Sequence, residues 1–318
     1  MLPRATETGL AQLEMTEIRI IEKLWRKLPA FPRSGIVLGV GDDCAVFRPK
    51  GSPEDLLFTT DLLIEEIHFR RSTHAPEDVG HKAVARGLSD IAAMGGEPRF
   101  CLLSVALAPG MEGAWMDRFY RGALRLAGIH KTTIAGGDLA HADRFACDVV
   151  VCGAVPRGEA LTRSGARPGD AIYVSGVLGG SALGLESRSA AARKRHLRPE
   201  PRVAMGRFLR RKVRASAAMD LSDGISLDLH RLSVASGVSA VIDHPLPSFP
   251  GASVEQVLHG GEDYELLFTV AAGTRVPRHH DGVPLTRIGS IVERRRMRVA
   301  FFGRELEPLG YDHFRLAT

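Results

Sequence analysis

The sequence predicts an α/β protein of the two-domain α+β kind, built as two related α/β halves. Two observations carry that reading. Apolar, β-branched runs of strand length alternate with longer segments of helical period along both halves. A stretch rich in Gly, Arg and Pro, residues 156–170, then interrupts the alternation near the middle of the 318-residue chain. The balance of 44% hydrophobic and 25% charged residues is that of an ordinary globular protein and excludes a disordered chain. Aromatic residues are only 6%, so the core must be mostly aliphatic and alanine.

The first fourteen residues have no periodic apolar pattern and read as a loose tail (1–14). From Met15, the segment TEIRIIEKLWRKL places Ile18, Ile21 and Trp25 at helical spacing, with Ile20 and Leu24 widening the stripe. Leu56 to Thr60 reads as a strand entering Asp61. His81 to Gly95 reads as a helix with Val84, Leu88, Ile91 and Ala92 on one face. Phe100 to Ala108 is a strand, Trp115 to Ala127 a helix, and Thr132 to Ala135 a short strand that ends at Gly136-Gly137-Asp138. Cys147 to Val155 is a strong strand. These segments make a first domain, 15–155, and the second domain runs over 156–318. In it Ala171 to Ser175 is a strand, Gly176 to Gly180 a glycine turn, and Ser181 the start of a helix. Val203 to Leu209 and Ile225 to Ala235 read as helices, Ala240 to Ile242 and Glu265 to Val270 as strands.

The longest apolar runs, such as Leu102 to Ala108, fall far short of a membrane span, and the opening residues lack an apolar signal region. Cys44, Cys101, Cys147 and Cys152 form no CxxC pair, so free thiols in a reducing cytoplasm are the simple expectation. The net charge of +5 sits in short runs, Arg193 to Arg195, Arg207 to Arg214 and Arg294 to Arg298. With only Phe208 interleaved among them, they read as solvated faces and not as a nucleic-acid site.

Aspartates recur beside small residues in Gly41-Asp42-Asp43, Thr59-Thr60-Asp61, Leu88-Ser89-Asp90, Gly136-Gly137-Asp138 and Asp220-Leu221-Ser222-Asp223-Gly224. Glycine permits close backbone approach to a ligand, and carboxylates suit hard cations. One such pair alone is an ordinary turn. Five of them, if they converge, would repel one another unless cations neutralised them. Mg²⁺ commonly combines one or two carboxylates with substrate phosphates, so the pattern points to Mg-nucleotide chemistry. No lysine follows a glycine anywhere, so there is no Walker A loop.

The chain resembles the thiamine-monophosphate kinase family, of the superfamily that includes aminoimidazole ribonucleotide synthetase and selenophosphate synthetase. The matching segments are GVGDDCAVF (39–47), TTDLLIEEIHF (59–69), LSDIAAMGGEP (88–98), AGGD (135–138), LTRSGARPGD (161–170), MDLSDGISLDL (219–229), GGEDYELLF (260–268) and GYDHF (310–314). They follow the family's order over nearly the whole chain from Met15. The resemblance implies several Mg²⁺ ions held by Asp43, Thr59, Thr60, Asp61, Asp90 and Asp138 from the first half and by Asp220 and Asp223 from the second. It implies ATP as co-substrate, contacted by Gly137, Asp138, Arg163 and Ser222, and thiamine phosphate contacted by His68, Glu262 and Tyr311. It implies phosphorylation of thiamine phosphate to thiamine diphosphate by in-line transfer, with no dedicated base, and a homodimer paired through the first halves.

Taken alone, His68 reads as a structural histidine among twelve, and Tyr311 as an aromatic capping the core. Their places in the motifs reverse the first reading and balance the second, because an aromatic face suits the cationic thiazolium. Asp42 reads as orienting its neighbour, Cys44 as packed, and Gly176 to Gly180 as a strand-to-helix turn and not a phosphate cradle. Two departures stand out. Leu139 follows the GGD where the family often has Thr, and Glu66 sits where Gly is common, which implies an altered loop before His68. The rival readings are a related synthetase acting on another small substrate and a non-catalytic Mg-nucleotide-binding regulator. Cys44 does not lie in the N-terminal loop that carries a selenophosphate synthetase's reactive residue, and a regulator should have lost some of the carboxylates.

Overall fold

The computed structural model describes residues 17–28, 34–187 and 189–314. The tail at 1–14 lies outside them. Helix α1 (Glu17–Trp25) falls within the periodic segment. In the N-terminal half follow β1 (Ile36–Leu38), β2 (Ala45–Phe47), β3 (Glu54–Ile64), α2 (Pro76–Ala93), β4 (Glu97–Leu107), α3 (Ala114–Ile129), β5 (Thr133–His141) and β6 (Ala146–Pro156). The strands form one sheet in the order β1-β2-β3-β6-β4-β5, antiparallel except for the β4–β5 pair.

Helices α2 and α3 cover one face of this sheet. Glycine lets them come unusually close. A Cβ on Gly80 would lie 1.9 Å from the Phe119 carbonyl oxygen, and one on Gly122 2.0 Å from that of Glu77. The other face carries the exposed Leu62, and among the described residues β5 ends the sheet with an unpaired edge.

The C-terminal half begins with a 3₁₀ turn, Arg163–Gly165, then β7 (Ala171–Ser175), α4 (Gly180–Glu186), α5 (Ala190–Leu197), α6 (Val203–Phe208), a π turn (Leu209–Val213) and β8 (Ala217–Asp220). It continues with α7 (Ile225–Ala235), β9 (Ser239–Ile242), α8 (Val254–His259), β10 (Leu266–Val270), β11 (His279–His280), β12 (Val283–Val292), β13 (Val299–Phe301) and β14 (Arg304–Glu305). The second sheet has the order β14-β13-β9-β12-β7-β10-β8, with β11 on β12. Only β9 and β13 pair in parallel within it.

The first apolar core runs from the N-terminal half into Val203, Met205, Leu209, Leu266 and Phe268 of the second. A second core joins α7 to its sheet through Met219, Leu229, Leu232 and Ile242. Helix α6 rests directly on α2, where a Cβ on Gly206 would lie 1.9 Å from the Ala92 oxygen.

Several boundaries differ from the sequence reading for definable reasons. Helix α2 starts at Pro76, five residues before His81, because Pro fits the first helical turn and Asp78 accepts a hydrogen bond from the Ala75 N–H. Strand β5 does not stop at Gly136-Gly137-Asp138 but runs through it to His141. Gly137 lies so close to β4 that a Cβ would sit 1.8 Å from the Leu103 oxygen, so this glycine permits pairing there and the Gly-Gly-Asp run does not make a turn. Asp61 likewise lies within β3 and not at its end. Strand β10 starts at Leu266, one residue after Glu265.

Candidate active site at the seam between the halves

Helix α2 builds most of the site. Lys82, Arg86, Ser89 and Asp90 fall at i, i+4, i+7 and i+8 and so share one face. Each meets a different partner. Lys82 Nζ donates to Glu262 Oε2 at 2.8 Å, and Arg86 donates to Asp61 Oδ1 at 2.6 Å. Ser89 Oγ donates to Asp220 Oδ2 at 2.7 Å, and Thr59 Oγ1 donates to Asp90 Oδ2 at 2.5 Å.

Asp43, Asp90 and Asp220 offer one carboxylate oxygen each, all within 4.8 Å of one another. They come from the β1–β2 loop, α2 and the end of β8. Among the described residues they are the one group of three acidic, His or Cys side chains so arranged. Burial pushes the Asp220 carboxyl up to about 7, with repulsion from Asp43 adding to it. Burial raises Asp90 as well, followed by the charges of Asp220, Asp61 and Asp43. Asp43 Oδ2 is buried with no hydrogen-bond partner. Three crowded carboxylates with an orphaned oxygen fit a hard divalent cation.

Asp42 orients its neighbours, as the sequence suggested. Its carboxylate accepts from the Asp43 N–H and the Arg163 N–H, both at 3.1 Å, and burial followed by Asp43 pushes it up to about 7. The Arg163 guanidinium donates to Asp43 Oδ1 at 2.5 Å. Cys44 is packed in the core, and burial raises its thiol.

A second group gathers His68, Glu262 and Tyr311. Burial opposes the Glu262 charge, but Lys82 and then His196 outweigh it and hold the carboxyl low. His68 Nδ1 accepts the Ile64 N–H at 3.0 Å, so Nε2 carries the proton of the neutral ring. That Nε2 is buried and unpartnered. Burial and then Arg86 push His68 down to about 3. His313 links the group: its ring centroid lies 5.1 Å from His68 and 4.8 Å from Tyr311. Tyr311 is 47% exposed, and its N–H binds the Asp223 oxygen. Glu66, before His68, has a φ of 66°, so the glycine-type turn is kept by a glutamate.

Other sequence-assigned residues stand outside these groups. Asp61 is occupied by Arg86. Thr60 Oγ1 donates to Asp148 Oδ1 at 2.5 Å. In register, Asp148 lies beside Ser104, and Ser104 beside the exposed Asp138 on β5, next to Gly137. Asp223 pairs with Arg231, while its N–H and that of Gly224 bind the buried Asp228. The Glu262 N–H binds the Ser222 carbonyl at 2.7 Å. The Gly176 to Gly180 turn is filled from within the protein, since Asp263 accepts the N–H groups of Gly179 (2.6 Å) and Ser181 (3.1 Å).

Sequence reasoning missed Lys82, Arg86, Ser89, His313 and Asp148. For the first three a signal existed, the helical spacing back from Asp90.

Two domain families match the two halves. Residues 41–158 match the AIR synthase related protein N-terminal domain, and residues 167–301 the corresponding C-terminal domain. The acidic seam and this fold therefore define an AIR synthase-related protein. Within that class the relatives are more specific. The thiamine-monophosphate kinase of Escherichia coli is 38% identical over 311 residues, covering 89% of this chain and 93% of that protein. The Bacillus subtilis thiamine-monophosphate kinase is 34% identical, covering 89% and 95%. The solved structure of AaThiL complexed with AMPPCP and TMP superimposes with a TM-score of 0.83 at 32% identity, covering 98% of this chain and 99% of that one. The chain belongs to the thiamine-monophosphate kinase family.

Proposed function

We propose that this chain transfers the γ-phosphoryl group of ATP to the phosphate of thiamine phosphate, giving thiamine diphosphate and ADP. The observation that carries this reading is the meeting of two groups at one seam. The carboxylates of Asp43, Asp90 and Asp220 lie on the same face of α2 as the Lys82–Glu262 contact beside His68. Relatives matched over nearly their full length bear this activity as their name, and one was solved with an ATP analogue and TMP.

In the transfer, an ionised oxygen of thiamine phosphate forms the new bond to the γ-phosphorus. The β,γ-bridging P–O bond breaks, and its electron pair leaves with ADP. The acceptor is already anionic, so no strong base is needed and positioning dominates. Asp43, Asp90 and Asp220 would hold Mg²⁺, with the Thr59 hydroxyl beside them. Thr60, Asp61, Asp138 and Asp223 are the further ligands that the resemblance assigns. Bound Mg²⁺ would supply neutralisation of phosphate charge.

Arg163 offers a planar donor fork for ATP phosphates, and Gly137 and Ser222 offer close backbone and hydroxyl approach. His68 Nε2–H offers an unpaired donor, Glu262 a negative charge, and Tyr311 an accessible ring face for the thiazolium. Among the described residues the edge of β5 is open and the outer face of the first sheet carries the exposed Leu62, which supports a homodimer paired there. No helix among the described residues is long and apolar enough to cross a membrane, and four free, buried cysteines suit a cytoplasmic setting.

The test is purified protein incubated with Mg-ATP and thiamine phosphate, followed by chromatography. Thiamine diphosphate and ADP should appear in equal amounts. ATP left intact with thiamine phosphate present overturns the reading.

A further inference from the structure

Lys82 is a fully buried lysine, at 0% exposure, in the middle of the N-terminal half's central helix. Taking an ammonium out of water is costly unless it is paired and hydrogen-bonded, so its partners define its purpose. They come from two different places. Glu262 Oε2 accepts from Nζ at 2.8 Å, from a loop of the C-terminal half. The His68 carbonyl accepts at 3.3 Å, from the loop after β3 of the N-terminal half. Glu262 is itself held in an uncommon backbone state, with a φ of 63° on a residue that is not glycine. His196 Nδ1 lies 3.4 Å from the same carboxylate oxygen. The loop backbone is held by the Glu262 N–H on the Ser222 carbonyl, and the Glu262 carboxylate it presents is held from below by the buried Lys82 cation.

We propose that Lys82 is a positioning residue for thiamine phosphate, its ammonium tying Glu262 to the His68 loop and so setting the spacing of the two groups that receive the substrate. This rests on the assignment of His68 and Glu262 to thiamine phosphate. A lysine suits the task because a compact charge on a flexible stem can serve a carboxylate and a carbonyl that lie in different directions. Lys82 stays beneath the site and acts through the two residues it holds.

The experiment measures apparent KM for thiamine phosphate and for ATP in the wild type, Lys82→Met, Glu262→Gln and the double variant, with melting curves to establish folding. A wild type that makes no thiamine diphosphate overturns the underlying functional reading instead. With an active wild type, Lys82→Met should raise the thiamine phosphate KM about tenfold or more and leave that for ATP within about twofold. In the Glu262→Gln background the same change should add little, because the group it positions is already altered. A folded Lys82→Met with an unchanged thiamine phosphate KM overturns the proposal, as does an equal rise in both KM values. Should the unpaired Glu262 carboxylate prevent Lys82→Met from folding, the double variant is compared with Glu262→Gln. A small difference supports the proposal, and a full further tenfold rise, about the same as an independent effect, overturns it.

Discussion

Ser89 Oγ on α2 donates a 2.7 Å hydrogen bond to Asp220 Oδ2 at the end of β8, and both residues are buried. The bond crosses from one half of the chain to the other at the point where Asp43 and Asp90 approach the same carboxylate. The acidic cluster therefore exists only while the halves are docked. Its charge is a property of their junction and not of either half alone.

Asp90→Asn tests the cluster. The substitution keeps the size of the side chain and an oxygen able to accept from Thr59 Oγ1. It also removes one of three mutually repelling carboxylates, so the metal-free protein should melt at the same temperature or higher. Turnover should fall by roughly two orders of magnitude or more, the scale set by losing one preorganised charge at a transferring phosphoryl group. Parallel melting curves and steady-state rates check this. Near wild-type turnover would remove Asp90 from the site.

Tyr311→Ala tests the substrate end. The ring is half exposed and contacts His313, not the apolar core, so stability should change little. The apparent KM for thiamine phosphate should rise about fivefold to thirtyfold, as expected for losing a cation–π face worth about 1–2 kcal/mol, while that for ATP holds. Equal changes in both constants would make Tyr311 a packing residue.

A pH titration tests the histidines beneath the site. Burial, followed by the charge of Lys82, pushes His74 and His196 each down to about 4. Their folded-state values thus lie below the ordinary 6.5. The stability they provide is complete above that value and is lost as pH falls towards 4, because the unfolded chain takes up the protons first. The loss is of the order of 3 kcal/mol for each residue. The raised carboxyls of Asp42 and Asp220 act in the opposite sense, since they bind protons more readily in the folded state. Melting temperatures of the wild type and His74→Gln/His196→Gln between pH 7 and pH 4.5 separate the two effects. The variant should show the shallower acid-side decline, and parallel curves would exclude the histidines as its cause.

Gly122→Ala tests the helix crossing. The new Cβ would meet the Glu77 carbonyl 2.0 Å away, a backbone atom on a packed helix. Separating α2 from α3 should cost about 3 kcal/mol, the upper end for overpacking a core. Urea unfolding measures it, and a cost below about 1 kcal/mol would mean that the helices separate freely.

The motif carboxylates were the legible part of the site, because Asp beside Gly or Ser leaves a local mark. Asp43, Asp90 and Asp220 could be named from such marks, although only the fold shows that they converge. Helical spacing puts Lys82 on the face of Asp90, but its burial and its partner were invisible for a physical reason. A lysine in an amphipathic helix reads as solvated, and nothing nearby announces a partner 180 residues away. His313 was passed over inside a quoted motif, since the contact that matters runs through space to His68. In the fold, most long strands and helices were readable from period, but β12 at the centre of the second sheet was not, because Pro284 and Gly289 interrupt its run. The short strands β11, β13 and β14 were not, for two or three residues cannot establish alternation. The extent of β5 was misjudged because Gly-Gly-Asp has turn chemistry, and only the closeness of β4 shows why glycine stands there.

The open flank of β5 is also a matter of manufacture. Ile134 alone among its nine residues is partly covered. A strand edge left bare will pair with any extended peptide that reaches it, ordered or not. Each newly synthesised copy carries that edge from the moment it folds. If the proposed homodimer forms there, docking of finished molecules competes with capture of unfinished chains at the same edge. Slow synthesis at low temperature, which keeps unfinished chains scarce, is therefore expected to give the greater share of usable material.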